Sequence, residues 1–266
     1  MRSVRRRNLA IIAQSFSVMR RTGVENVHDI HRNSFQLVYL VKGTNINFNY
    51  QSMQKTIIII GMGPGLSYGV ARKFGKEGFK VGMISRNAAK LFDFQKELAL
   101  EGVESFFETA DVADTNQLLK ALKNLKKELK NIDVLHYNAV DYRYVHILDE
   151  KVEDLAKGFM ISVGNAFAAV KELQEDLIKS KGAVLLTGGG SANFPIPDMA
   201  TISLGKAGIK NLAYQLYKAL KPEGVYVGTL TVSNQISEES STHSPAILAN
   251  KFWDLYTARE KVEVVY

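Results

Sequence analysis

Residues 57–60 are four consecutive isoleucines, and the run stops at Gly61. β-Branched side chains pack well on a pleated surface, and nothing polar alternates with them, so the run predicts a strand buried on both faces. Helical spacing follows over Leu66–Lys76, through Val70, Ala71 and Phe74, with Gly78 placed as a C-terminal cap. The two patterns then alternate to the end of the chain. Strands are predicted at residues 79–85, 103–109, 132–136, 182–187, 225–232 and 262–265. Helices are predicted at 87–100, from a cap at Thr115 through Leu118, Leu119, Leu122 and Leu125, and at 152–179, 199–220 and 247–259. The lysines of the third helix read as its wet face. Residues 233–249 are polar and loop-like, the composition of a flap over a site.

Strands alternating with helices predict an α/β fold, a Rossmann-type doubly wound parallel sheet with helices on both faces, in one domain. Such a sheet binds its ligand at the carboxyl ends of its strands. Polar or glycine-rich stops lie at those ends: residues 61–67, Ser85-Arg86, Asp111, Asn138 and residues 188–191. They are expected to converge on one cleft.

The first stop carries Gly61, Gly63 and Gly65 between a strand and a helix. A Cβ there would keep a pyrophosphate away from the backbone amides, and the helix N-terminus favours an anion. The context predicts dinucleotide binding. The acidic residue that holds a ribose 2′-hydroxyl is expected about 20 residues past the loop, and Ser85 and Arg86 stand there instead. A hydroxyl and a guanidinium suit a 2′-phosphate, so NADP is expected ahead of NAD.

Composition changes this picture only at the N-terminus. The chain has 266 residues and a formal charge of +7, but residues 1–52 hold eight Lys/Arg against two Asp/Glu, leaving 26 against 25 for residues 53–266. A nearly neutral body argues against nucleic acid as a partner. The Arg-rich stretch reads as a transit peptide, as a basic arm, or as no part of the functional protein, whose unit would start at Met53; the last reading is preferred. The expected location is cytoplasmic, or mitochondrial if the stretch is a transit peptide. The chain has no cysteine, and its five histidines lack metal-ligand spacing, so no metal is expected. No apolar run reaches the roughly 18 residues of a membrane span.

Residues 53–266 resemble the short-chain dehydrogenase/reductase family. The family's TGxxxGxG loop corresponds to the run from Ile60 to Ser67, with Ile60 for the threonine and Ser67 for the last glycine. Asp111-Val112 matches its aspartate beside the adenine, and Tyr137-Asn138-Ala139-Val140 its NNAG turn. The GxGPGL, TGGG and GKA strings are most similar to a divergent bacterial subgroup. The resemblance implies cofactor contacts from Gly61, Gly63, Gly65, Leu66, Ser67, Ser85, Arg86, Asp111, Val112, Asn138, Ala139, Val140 and Lys206. Of the family's catalytic residues only the lysine, Lys206, is kept. Ile202 stands at the acid tyrosine, Gly189 at the serine and Ser162 near the asparagine. The missing acid is sought among Tyr142, Tyr144, His146, Ser191 and Ser203, and Lys206 either donates a proton or holds the nicotinamide ribose.

The implied function is an NADP-dependent oxidoreductase moving hydride to or from a small carbonyl or enoyl substrate, with Lys206, Tyr144, Tyr142 and Ser162 as catalytic candidates. The alternative is an inactive dinucleotide-binding sensor or structural protein. Helices 152–179 and 199–220, rich in small residues such as Gly158, Gly164, Ala166, Ala168 and Ala169, suggest a homodimer or homotetramer.

Overall fold

β-Branched runs become strands here and the amphipathic stretches between them become helices. The computed structural model describes residues 30–31, 34–41, 44–51 and 54–266. The chain divides into two units, Met1–Met53 and Gln54–Tyr266. In the first, β1 (Ile30–His31), β2 (Ser34–Val41) and β3 (Thr44–Gln51) form an antiparallel sheet, with Ser34 opposite Gln51 and Val41 opposite Thr44. Asn45, Ile46, Asn47, Phe48, Asn49 and Tyr50 alternate with period two, which is the signal for β3. The readings of residues 1–29 lie outside the described residues.

The second unit runs β4 (Thr56–Ile60), α1 (Leu66–Lys76), β5 (Lys80–Ser85), α2 (Ala88–Leu100), β6 (Ser105–Thr109), α3 (Thr115–Leu129) and β7 (Val134–Tyr137). It continues with α4 (Val152–Phe159), α5 (Asn165–Ser180), β8 (Ala183–Gly189), α6 (Ala200–Leu220), β9 (Tyr226–Val232), α7 (Pro245–Ala258) and β10 (Glu263–Val265). Its seven strands pair in parallel in the order β10-β9-β8-β7-β4-β5-β6. The order reverses between β4 and β7, so a crevice opens at their carboxyl ends. This is the expected doubly wound sheet in a single domain.

Each face of the sheet takes alternate residues of a strand. Ile58 and Ile60 join Leu135 and Leu186 against α3, α5 and α6. Ile57 and Ile59 join Leu185 and Leu230 against α1, α2 and α7. All four isoleucines are fully buried, as the unbroken run required. Helix α7 is clamped to α1 at Gly69, where an added Cβ would sit 2.7 Å from the Pro245 carbonyl oxygen.

Three local expectations are corrected. Asp114, not Thr115, caps α3: its Oδ1 accepts from Asn116 N at 2.9 Å and Gln117 N at 3.1 Å, and Thr115 is already helical. The predicted helix over 152–179 is split into α4 and α5 by a π-helical turn, Met160–Gly164. Helix α7 begins at Pro245, whose fixed φ suits a first turn, so the loop after β9 ends at Ser244. Among the described residues, no helix is long and apolar enough to cross a membrane.

His136 on β7 is fully buried, edge-on to Phe252 with ring centroids 4.6 Å apart, and neither ring nitrogen has a hydrogen-bond partner among the described residues. Burial pushes its pKa down to about 3; the Lys206 charge adds to this, and the Leu185 backbone opposes it in part. The unfolded value is about 6.5, so the folded state excludes a proton that the unfolded state takes up. Stability is therefore unaffected above about pH 6.5 and falls below it by up to about 1.4 kcal/mol per pH unit. In urea unfolding, the wild type should lose about 2 kcal/mol more than His136→Leu between pH 7 and pH 5.

Candidate cofactor and active site

The crevice begins with a tight turn. Gly61 has φ +85°, and an added Cβ would lie 2.6 Å from Ala139 N. The ends of β4 and β7 therefore approach too closely for a side chain at this position. Asn138 N donates to Ile60 O at 2.9 Å, and the amides of Gly61 and Met62 both donate to Ile84 O at 3.0 Å. Beyond the turn the chain opens. A Cβ at Gly63 or Gly65 would meet nothing within 4 Å. Helix α1 starts immediately after, with no side-chain cap and no acidic residue in its first turn. Its leading amides and dipole face a loop that is open at Gly63 and Gly65, which fits a dinucleotide pyrophosphate.

Ser67 is buried on α1 and ties this loop to β7. Its hydroxyl donates to Gly61 O at 2.8 Å and accepts from Asn138 Nδ2 at 2.7 Å. The residue that departs from the family's glycine pattern thus bridges the two strand ends of the crevice. Leu66, beside it, is buried in the core under α1. Ala139 and Val140 continue from Asn138 and are partly exposed at the crevice.

The next two strands bring their ends alongside. Ser85 closes β5, its carbonyl accepting from Ala110 N at 3.0 Å. Arg86 is exposed and makes no hydrogen bond or ion pair among the described residues, while Asn87 caps α2 through Lys90 N at 3.0 Å. Asp111 is half-buried after β6, and its Oδ1 accepts from Ala113 N at 3.0 Å. Sequence reasoning missed the residue that holds this loop. Asn165 of α5 is fully buried; its Nδ2 donates to Val112 O at 2.6 Å and its Oδ1 accepts from Thr115 Oγ1 at 2.7 Å. A polar amide on the inward face of an otherwise apolar helix was the available signal.

Lys206 lies on α6 across from the ends of β7 and β8. Its Nζ donates to Thr187 O at 2.8 Å, and burial pulls its pKa down to about 8. Its stem runs along Gly189, where an added Cβ would lie 3.1 Å from Cγ and 3.3 Å from Cε. Ile202, one turn earlier, is buried and apolar. Ser162 sits on the π turn against Gly205, its hydroxyl buried and without a partner among the described residues. These four positions do come together.

Tyr142 and Tyr144 stand apart from Lys206 in their bonding. Both are about two-thirds exposed, their hydroxyls 2.9 Å from each other and their rings perpendicular. The hydrogen bond to Tyr144 raises the pKa of Tyr142, with burial second. Two other candidates have structural roles. His146 Nδ1 accepts from Leu148 N at 3.2 Å, and Ser203 Oγ accepts from Ile196 N at 3.1 Å. Ser191 is half-buried in the short turn after β8. Among the described residues no cluster of three or more His, Cys, Asp or Glu could hold a metal.

The model of the short chain dehydrogenase family matches residues 55–235, from β4 through the start of the loop after β9. The chain belongs to the short chain dehydrogenase family. It is by that membership an oxidoreductase of the NAD(P)-dependent kind. A diacetyl reductase, (S)-acetoin forming, of Staphylococcus epidermidis is 24% identical over 204 residues, 76% of this chain and 74% of the relative. A 3-oxoacyl-acyl-carrier-protein reductase of Staphylococcus aureus is 21% identical over 207 residues, 73% of this chain and 84% of the relative. A dehydrogenase/reductase structure from Sinorhizobium meliloti superposes with a TM-score of 0.72 at 20% identity, covering 79% of this chain and 92% of that one. An actinorhodin polyketide ketoreductase structure with NADPH superposes at 0.73 and 18% identity, covering 80% and 95%. These structures share this short chain dehydrogenase's fold.

Gly61→Ala separates the clash from the backbone strain. Gly78 has a similar φ, +90°, but open space around its Cβ position. Gly78→Ala should cost about 1–2 kcal/mol, the strain of a left-handed residue. Gly61→Ala should cost at least about 1 kcal/mol more, because the backbone of Ala139 must move. Denaturant unfolding of the two variants compares them directly.

Proposed function

We propose that this short chain dehydrogenase moves hydride between NADP(H) and a small carbonyl or enoyl substrate, with an atypical set of catalytic residues. The observation that carries the NADP preference is Arg86, exposed and without a partner at the end of β5, next to Ser85. A guanidinium there attracts a 2′-phosphate, and no carboxylate stands at that strand end to hold a 2′-hydroxyl. The backbone amides of Gly63, Gly65 and Leu66 hold the pyrophosphate, since Pro64 between the glycines has no N–H to donate. Asp111, Val112 and the Asn138–Val140 turn line the remaining strand ends. When bound, the dinucleotide supplies or accepts the hydride. Lys206 is placed at the ends of β7 and β8 to hold the ribose or a proton, and the apolar Ile202 cannot donate one.

The activities of the relatives suggest the probes. NADPH and NADH binding are measured by protein fluorescence. NADPH consumption is then screened with diacetyl, an acetoacetyl thioester and a crotonyl thioester. Arg86→Ala should weaken NADPH by about 10–100-fold, the worth of one charge-assisted contact, and leave NADH within about twofold. Equal affinity for both dinucleotides, unchanged by the substitution, would remove the NADP preference. Ile202 and Gly189 favour a second reading, a dinucleotide-binding protein without turnover. Tight NADPH binding with no consumption on the panel would support it.

A homodimer is proposed through the outer faces of α4, α5 and α6. The small residues first singled out are not that face: Ala166 and Ala169 are buried against the sheet, and Gly158 packs on Thr201 and Asp141. Larger apolar side chains are exposed instead, Phe159, Met160 and Phe167 on one side and Leu204 on α6. Adjacent exposed apolar groups of this size mark a protein interface. Phe167→Glu, at a half-exposed position, should shift sedimentation toward monomer and leave an unfolding midpoint that no longer depends on protein concentration.

A further inference from the structure

Resting on the oxidoreductase reading above, we propose that Lys206 is itself the proton donor to the substrate oxygen. Three observations converge on it. The position one turn earlier on α6 is Ile202, buried and apolar, and the hydroxyl of Ser203 beside it is engaged with the Ile196 backbone. The strand end opposite is Gly189, and the Lys206 stem fills the space beside it, 3.1–3.3 Å from where a Cβ would stand. The hydroxyl of Ser162 is buried beside Gly205, the neighbour of Lys206 in the chain, without a partner among the described residues. The ammonium holds Thr187 O at 2.8 Å with one of its hydrogens. Two remain for other acceptors.

The surroundings make this amine a workable acid. On β7 its charge acts on His136, held neutral at neutral pH, and the neighbouring Tyr137 has its hydroxyl donating to Ile161 O and its pKa raised by burial. On β8 it meets Thr187 and Gly189, and Ser162 on the π turn packs against the adjacent Gly205; none of these is charged. Asp141, on the loop after β7, is paired with Arg143 at 2.8 Å. Lys210, one turn on along α6, is paired with Glu263 at 3.0 Å. No unpaired carboxylate among these groups holds the Lys206 proton in place, and burial brings its pKa to about 8.

The step balances as follows. The carbonyl carbon would receive a hydride, a proton with two electrons, which a reduced nicotinamide dinucleotide supplies when bound, and the C=O π pair would move to oxygen. The oxygen takes a proton from the Lys206 ammonium as an O–H bond forms. The alcohol and the oxidised dinucleotide leave, and the neutral amine regains its proton from solvent.

Lys206→Arg tests this, because arginine keeps the positive charge and can still hold a ribose but does not release a proton near neutral pH. The variant should bind NADPH within about threefold of the wild type by fluorescence and lose about 10²–10⁴-fold in turnover, the usual worth of a general acid. Wild-type kcat/KM for reduction should be level below about pH 8 and fall about tenfold per pH unit above it. NMR of protein labelled with carbon-13 at lysine Cε, with the Lys206 signal assigned by its absence from the variant, should show that amine titrating near pH 8 with no substrate present. A Lys206 amine titrating above pH 10, or a Lys206→Arg rate within threefold of wild type, overturns the proposal. A turnover lost in Tyr144→Phe or Tyr142→Phe and kept in Lys206→Arg overturns it in favour of the tyrosine. A wild type that binds NADPH and consumes none on the panel overturns the oxidoreductase reading, and this inference with it.

Discussion

The contact between the ends of β4 and β7 is the constraint on which the site depends. Gly61 must turn with a positive φ, and only a hydrogen fits between it and the Ala139 amide. That close approach lets Asn138 N reach Ile60 O and lets Ser67 bridge Gly61 O to the Asn138 side chain. Three short polar contacts thus fix the crevice at the point where the strand order reverses. Because these groups are buried and mutually satisfied, losing one partner would leave another exposed to an apolar surrounding. The geometry of the empty-sided part of the loop, at Gly63 and Gly65, follows from this anchored start.

The two walls of the crevice are built differently. On the side of β5 and β6 the groups are held by backbone caps and by Asn165, which reaches from α5 to the Val112 carbonyl and to Thr115. That side is organised and satisfied, as a nucleotide-binding wall should be. On the side of β7 and β8 the polar groups are fewer and less satisfied. The hydroxyl of Ser162, the Thr187 hydroxyl and both nitrogens of His136 are buried without partners among the described residues. Buried polar groups are expensive to leave unpaired, so they gather where function rather than packing sets the residue. The π turn at Met160–Gly164 lies on this same wall, and such turns are frequent at functional sites.

Much of this molecule was legible from its residue pattern. The unbroken isoleucines could only be a strand covered on both faces, and the glycines after them could only be a turn with open amides. The alternation of strands and helices then left one class of sheet, because parallel strands need helical crossovers. Expectations failed where local pattern does not carry the deciding energy. Asp114 outcompeted Thr115 as a cap by a one-residue difference in where the helix began. The hairpin strands β2 and β3 were overlooked although Asn and apolar residues alternate along β3.

What the sequence by itself determined is the fold and the family, since each rests on periodicity and on glycine's lack of a Cβ. Tertiary structure alone decided which polar residues meet. Asn165 lies 53 residues from Val112 and Ser67 lies 71 from Asn138; no spacing rule links such pairs. It also decided that Lys206 folds beside Gly189 rather than beside a serine, that its amine is desolvated, and that Tyr142 and Tyr144 bond to each other. The physical reason is the same in each case. A residue type states what a side chain can donate or accept, while burial and distance state to whom, and those exist only once the chain has packed.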